Sequence, residues 1–315
     1  MYSQEQLASI IQSGIDNIHY PALAPHLYDP VRYTLETGGK RLRPMLVLMA
    51  ANLFTDHIDE AITPAIGLEM YHNFTLLHDD VMDNATDRRG RTTVHVKWNS
   101  NAAILSGDAM QALAYQLIAQ CPARCLKQVI DVFNQTNIEV GEGQQLDMEF
   151  ETRNDVTVDE YIEMIRLKTS VLLGCALRMG ALIGGASDQQ AQTLYDFGIN
   201  LGLAFQLQDD WLDCWGDPKT FGKRIGGDIL CDKKTYLRIK AELQAPLPQA
   251  DRRDEEAYIN AFKAYYIQTG AEQACRDLIN TYVTRAKEGL KSLNVETEKL
   301  TALLALTDKL ENRKV

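Results

Sequence analysis

Two stretches of this chain, AITPAIGLEMYHNFTLLHDDVMD (61–83) and QTLYDFGINLGLAFQLQDDWLD (192–213), are apolar around most of a helical circumference, and each ends in a cluster of aspartates. A helix of that kind cannot lie on a surface. It needs neighbours on all sides, so both belong in the middle of a helix bundle. The segments around them agree. SGDAMQALAYQLIAQ, VIDVFNQTNIEVGEGQQLDMEF and VDEYIEMIRLKTSVLLGCALRMGALIG are rich in helix-favouring residues. The C-terminal third is more polar helix. In DPVRYTLETGG, Asp29 is the expected N-cap, Pro30 the first helical residue and Gly38 the stop. DPKTFGKRIGGD reads as loop. No solenoid period or low-complexity linker appears. The expectation is one all-α domain, residues 1–315.

Charge and cysteine content narrow the function. With 32 basic and 43 acidic residues, the formal net charge is −11, which argues against nonspecific nucleic-acid binding. It leaves room for a phosphate ligand, because local cations or metals can invert the potential inside a site. The six cysteines lack paired zinc spacings and read as reduced core residues of a cytoplasmic protein. The N-terminus has no signal-peptide pattern. VLLGCALRMGALIGG is short and interrupted by Arg178, so no membrane span is expected.

The acid clusters suggest a metal. Asp79 and Asp83 are four apart, a rotation of about 40° and a rise of about 6 Å on a helix, so they share a face; Asp80 points about 100° away. Asp209, Asp210 and Asp213 repeat the spacing. One such cluster alone is more often a solvated helix end, but two at the ends of two apolar helices are a stronger signal. Carboxylates crowded together take up protons or hold cations. Oxygen-only ligands suit Mg²⁺, which keeps waters and accepts substrate phosphates. Neither cluster has the alternating acids, glycine and closing glutamate of an EF-hand.

Cations accompany the acids: Lys40, Arg41 and Arg43 in GGKRLRP, then Arg88 and Arg89, Lys168 beside Thr169, Lys223, Lys233 and Lys234. Each alone would be an ordinary surface charge. Together they offer the forks and point charges that a diphosphate needs. GDPKTFGKR is not a nucleotide P-loop. It has five residues between Gly216 and Gly222, and Arg224 stands where Ser or Thr should be.

In this order, GGKRLRP, HDDVMDNATDRRG, GQQLDMEFE, LKT, FQLQDDWLD, GDPKTFGK and KKT resemble the trans-isoprenyl diphosphate synthases. The resemblance implies about ten core helices around a deep central cavity, usually in a homodimer. It implies Mg²⁺-dependent head-to-tail condensation of isopentenyl diphosphate with dimethylallyl, geranyl or farnesyl diphosphate, with three ions bound alongside substrate. Asp79, Asp83 and Asp209 would ligate the metals, supported by Asp80, Asp210 and Asp213. Arg88, Lys168 and Lys223 would hold the allylic diphosphate. Lys40, Arg43, His72 and Arg89 would hold isopentenyl diphosphate. Thr169 and Gln206 would face the reacting centre, and Lys233 would close over it. Phe74 and Thr75, about one turn before Asp79, would gate product length, with Tyr115 a deeper floor. That mixed pair implies a short product, C20 ahead of C15. The alternatives are a class I terpene cyclase, against which FQLQDDWLD and GGKRLRP argue, and a non-catalytic regulatory subunit, which would be expected to have lost aspartates or arginines. Squalene-type head-to-head synthases resemble the pattern poorly.

Overall fold

The first helix starts at Gln4 and the last ends at Glu311 in a computed structural model that describes residues 2–217 and 225–311. Helices account for 74% of the chain, which makes the fold all-α as expected. The chain clusters into two compact units, Met1–Phe133 with Ala176–Ala191, and Asn134–Cys175 with Gln192–Val315.

The first unit is organised by α4 (Asp59–Met82), 24 residues and so about 36 Å long. It packs above all on α6 (Ser100–Ile118), then on α3 (Leu42–Asn52), α1 (Gln4–Asp16) and α2 (Pro25–Glu36). Leu68, Met70 and Tyr71 of α4 and Leu46 and Leu48 of α3 are fully buried, as helices without a polar face require. A capping box of Ser3 and Gln6 starts α1. Helix α2 begins five residues before the expected Asp29–Pro30 start. Pro25 takes the first-turn position, and Pro30 lies inside the helix, buried. Asp29 instead pairs with His26 and Arg32 on the helix surface. Either proline could open the helix; Pro25 adds a further turn ahead of Val31 and Leu35, both buried. The expected stop holds, with Gly38 at φ +78° and its N–H on the Leu35 carbonyl.

The sequence reading has no strand, yet Asp87–Arg88 and Arg91–Thr92 form a two-residue antiparallel hairpin, with Asp87 opposite Thr92. Its turn is Arg89 (φ +56°) and Gly90 (φ +73°), both left-handed, as a tight hairpin needs. Asp87 Oδ1 accepts from the Gly90 N–H at 3.0 Å. The short α5 (Val94–Lys97) follows.

In the second unit, α8 (Val158–Ile165) opens with a Thr157–Glu160 capping box. It runs through a π-turn at Arg166–Ser170 into α9 (Val171–Gly184). The whole stretch Val158–Gly184 is long and apolar enough to cross a membrane, longer than the sequence reading allowed. Its most apolar window is 78% buried in protein, as a core helix would be. Two glycines make the π-turn possible. A Cβ at Gly143 of α7 (Leu126–Thr152) would overlap the Lys168 backbone, and one at Gly202 of α10 (Asp188–Trp215) would overlap Ser170. Helices Gly227–Leu230, Tyr236–Glu242, Glu255–Gln268, Ala271–Lys291 and Thr297–Glu311 complete the unit.

Candidate active site

The acidic end of α4 is held by the hairpin. Asp83 caps the helix, its N–H on the Asp79 carbonyl at 2.9 Å, so the two acids are one turn apart as the spacing predicts. Asp80 is buried and receives Arg88 Nε at 2.6 Å; Arg88 also reaches Asp79 Oδ2 at 3.4 Å. Burial pushes the Asp80 carboxyl up, and the Arg88 guanidinium opposes it. Asp80 is therefore a post for Arg88. Asp79, with 19% of its side chain exposed, and exposed Asp83 are the more accessible acids and could hold a cation.

A cluster of cations lies in the same unit. Arg41 caps α3 in the left-handed region (φ +46°) and pairs with buried Glu69 of α4 at 2.7 Å. Losing one partner of such a pair costs about 3–5 kcal/mol, because the other charge is left uncompensated. Asn73 Nδ2 also donates to Glu69, at 3.0 Å. Beside this anchor, Arg43 Nη1 lies 3.0 Å from His72 Nε2. Burial lowers the Arg43 guanidinium to about 10, with Glu69 opposing. His72 is held neutral, well below the ordinary imidazole range, by burial and then by Arg43, Arg89, Arg88 and Arg41. A neutral ring accepts from Arg43 and adds no charge. Arg89 donates to the Gly38 carbonyl, and Lys40 is exposed on the same loop. Arg43 Nε is buried without a hydrogen-bond partner. Three guanidiniums near one carboxylate, with an unused buried donor, make a site for an anion.

The second unit holds another constellation. The π-turn presents Lys168 and Thr169 side by side. Such bulges re-aim helical side chains and occur often at functional sites. Lys168 Nζ lies 2.6 Å from Asp147 Oδ2. Thr169 donates to Gln206 Oε1 at 3.3 Å, and Gln206 Nε2 donates to Asp210 Oδ1 at 3.1 Å. The buried Tyr161 hydroxyl donates to the other Asp210 oxygen. Asp210 is buried, and its carboxyl is pushed up to about 7 by that burial and by Asp228, with Lys233 opposing. Asp213 is buried too and accepts the Asp228 N–H at 3.1 Å, tying down the loop that carries Lys233. Asp210 and Asp213 thus serve protein partners, and Asp209 is the acid of this cluster with an accessible side.

Each cluster, then, lies at one helix end as the spacing predicts, with Asp80, Asp210 and Asp213 engaged by protein partners and Asp79, Asp83 and Asp209 more accessible. Lys223 lies outside the described residues. Among those residues, no three acidic, His or Cys side chains converge into a ready-made cage. Hard oxygen donors in small number fit Mg²⁺, which keeps waters and completes its shell with phosphate oxygens. Sequence reasoning missed Glu69, Asp147, Tyr161 and Asp228. A signal existed for two of them. Glu69 is a lone acid in a buried apolar run, and Asp147 lies one turn after Gly143.

The polyprenyl synthetase family pattern matches residues 24–265, through both units. The chain belongs to the polyprenyl synthetase family. The geranylgeranyl diphosphate synthase of Methanosarcina mazei is 37% identical over 97% of this chain and 95% of its own. A crystal structure of a geranylgeranyl pyrophosphate synthase superposes with a TM-score of 0.93 at 43% identity, covering 100% of both chains. The geranylfarnesyl diphosphate synthase of Natronomonas pharaonis is 35% identical over 85% of this chain and 84% of its own. This polyprenyl synthetase has the isoprenoid synthase fold. Relatives named for two different products, geranylgeranyl and geranylfarnesyl diphosphate, are thus about equally similar to it.

Proposed function

We propose that this polyprenyl synthetase is a prenyltransferase acting as one catalytic domain over residues 1–315. It condenses isopentenyl diphosphate with dimethylallyl, geranyl and farnesyl diphosphates to give all-trans geranylgeranyl diphosphate (C20), with farnesyl diphosphate (C15) the runner-up. The observation that carries this reading is the buried cluster of cations around Arg43, whose Nε has no hydrogen-bond partner. Lys40, Arg43, His72 and Arg89 bind the diphosphate of isopentenyl diphosphate there. Arg88, Lys168 and Lys223 grip the allylic diphosphate, and Lys233 closes over it. Asp79, Asp83 and Asp209 would hold Mg²⁺, three ions with substrate bound, and the metal would supply neutralisation of charge on the departing diphosphate.

The allylic C–O bond breaks, and its electron pair leaves with the diphosphate. The isopentenyl double bond attacks the allylic carbon, and a proton is lost to form the new double bond. Thr169 and Gln206, fixed by Asp210 and Tyr161, orient the reacting ends. An apolar surrounding is needed to keep water from the cationic centre. The departed diphosphate is base enough for the proton, so no Ser, His or Cys nucleophile is needed. Radiolabelled isopentenyl diphosphate with each allylic primer, followed by product chromatography, tests this. A C20 product from all three primers is expected; a cyclic hydrocarbon, or no incorporation, would overturn it.

The protein acts in the cytoplasm as a homodimer. Ile104 and Leu105 of α6 are 44% and 59% exposed, an apolar pair with no cover in the single chain. Sedimentation velocity at micromolar concentration is expected to give a dimer, and Leu105→Glu to shift it toward monomer. A wild-type monomer sinks this assignment.

A further inference from the structure

Asp147 has no role in the reaction as set out above, yet it is paired with one of the reaction's lysines and lies in the field of another. Helix α7 touches the π-turn twice within one helical turn. Gly143 lets the Lys168 backbone close on the helix, and Asp147 receives the Lys168 ammonium at 2.6 Å. Lys168 and Asp147 are only 26% and 19% exposed, so the attraction is only partly screened. Burial alone would push the Asp147 carboxyl up; Lys233 and Lys168 outweigh it and hold the group below its usual range. The carboxylate is therefore paired with the Lys168 ammonium and feels the charge of Lys233 as well. Lys233 is carried by the loop that Asp213 ties down through Asp228.

We propose that Asp147 is a positioning residue that competes with the allylic diphosphate for Lys168 and Lys233. The inference rests on the reading of those lysines given above. With no diphosphate bound, Asp147 keeps two like charges together and aims Lys168. When a diphosphate enters, each lysine must be shared with it or given up to it. The carboxylate thereby weakens the grip on the diphosphate. A synthase needs that, because every cycle ends with a free diphosphate that must leave before the next allylic substrate enters. A site with the lysines and no competing anion would bind substrate well and release the inorganic product slowly.

Asp147→Asn removes the charge at nearly constant shape. Inorganic diphosphate with Mg²⁺ is the probe, titrated calorimetrically and used as an inhibitor. In Asp147→Asn it should bind and inhibit about tenfold more tightly, the effect of one nearby charge in a half-buried site. The KM for geranyl diphosphate should fall and kcat should fall several-fold, while the KM for isopentenyl diphosphate stays within about twofold, because its cations lie elsewhere. Asp147→Ser, measured alongside, must move the same way. Asp147→Glu, which keeps the charge, should return inhibition toward wild type. In a Lys168→Gln background the tightening should shrink to about threefold or less, since one competed-for cation is gone. Equal or weaker diphosphate binding in folded Asp147→Asn or Asp147→Ser overturns the proposal, as does equal tightening with and without Lys168. Failure of wild-type protein to bind inorganic diphosphate at all would instead strike the assignment of the lysines.

Discussion

Asp79→Ala and Asp209→Ala are each expected to lower kcat about a thousandfold or more, and EDTA to abolish turnover until Mg²⁺ or Mn²⁺ is restored. The size follows from what the acids do. Breaking an allylic C–O bond requires charge on the departing diphosphate to be neutralised as it develops, and losing one electrostatic stabiliser of that kind costs on the order of 10²–10³ in rate. Removing a metal ligand removes part of an ion's hold as well. The structure also separates this effect from misfolding. Asp79 is part-exposed, and Asp209 is the accessible acid of its cluster, so truncating either leaves the core untouched. Asp210→Ala is a different experiment. It strips buried Tyr161 and Gln206 of their acceptor, and unpaired buried donors cost about 1–3 kcal/mol each. Activity loss there would not separate chemistry from stability. Asp79→Ala and Asp209→Ala should keep wild-type helical circular dichroism and melting temperature. Turnover within tenfold of wild type from either would remove that aspartate from metal binding.

The same contrast shows what could be read from sequence and what could not. Periodicity and composition suffice for an all-α fold, because a helix apolar all round has few places to go, and α4 and α10 are such helices. The i,i+4 pairing of Asp79 and Asp83 is legible because helix geometry is fixed. The division of labour within each cluster was not. Whether an aspartate faces a metal or a protein donor depends on which partner arrives from elsewhere in the chain. Arg88 arrives from a hairpin whose only local sign is Arg89–Gly90, and Tyr161 arrives from a helix 49 residues before Asp210. Nor does any propensity announce the π-turn that sets Lys168 beside Thr169. It exists because Gly143 and Gly202, distant in sequence, leave room for it. The start of α2 went astray for a simpler reason: two prolines compete as the first-turn residue, and the propensities do not rank them.

Product length should respond to single substitutions on α4. Phe74 lies on the stripe Gly67–Tyr71–Phe74–His78 that meets α6. Gly67 is in contact with Ala114 and Ile118, and His78 lies on Gly107. The Phe74 ring is half-buried, 5.5 Å from Tyr71 and 4.8 Å from His78, and Tyr71 continues through Phe133 to Tyr115 of α6. Phe74 thus stands at the metal end of a run of aromatic side chains. Thr75 shares the face of Asp79 one turn away, about 6 Å along the axis. Its hydroxyl is satisfied by the His72 carbonyl at 2.8 Å, so the position carries a small, capped side chain. A prenyl tail that starts at the diphosphate and grows beside α4 meets Thr75 first, with little obstruction, and then the Phe74 ring. Phe74→Ala should open the floor and move the main product from C20 to C25 or longer, because a vacated aromatic side chain leaves space that the tail can fill. Thr75→Phe should stop growth at C15, because the new ring occupies the channel one turn from the metal and the packed helix cannot yield. Tyr115 is the next barrier only if Phe74 is the first, so Phe74→Ala/Tyr115→Ala should lengthen the product beyond Phe74→Ala alone. Chromatography of dephosphorylated products from geranyl diphosphate and isopentenyl diphosphate reads all three. An unchanged chain length in an active Phe74→Ala enzyme would leave the ring with packing on Tyr71 and His78 as its whole role, and would place the floor away from α4.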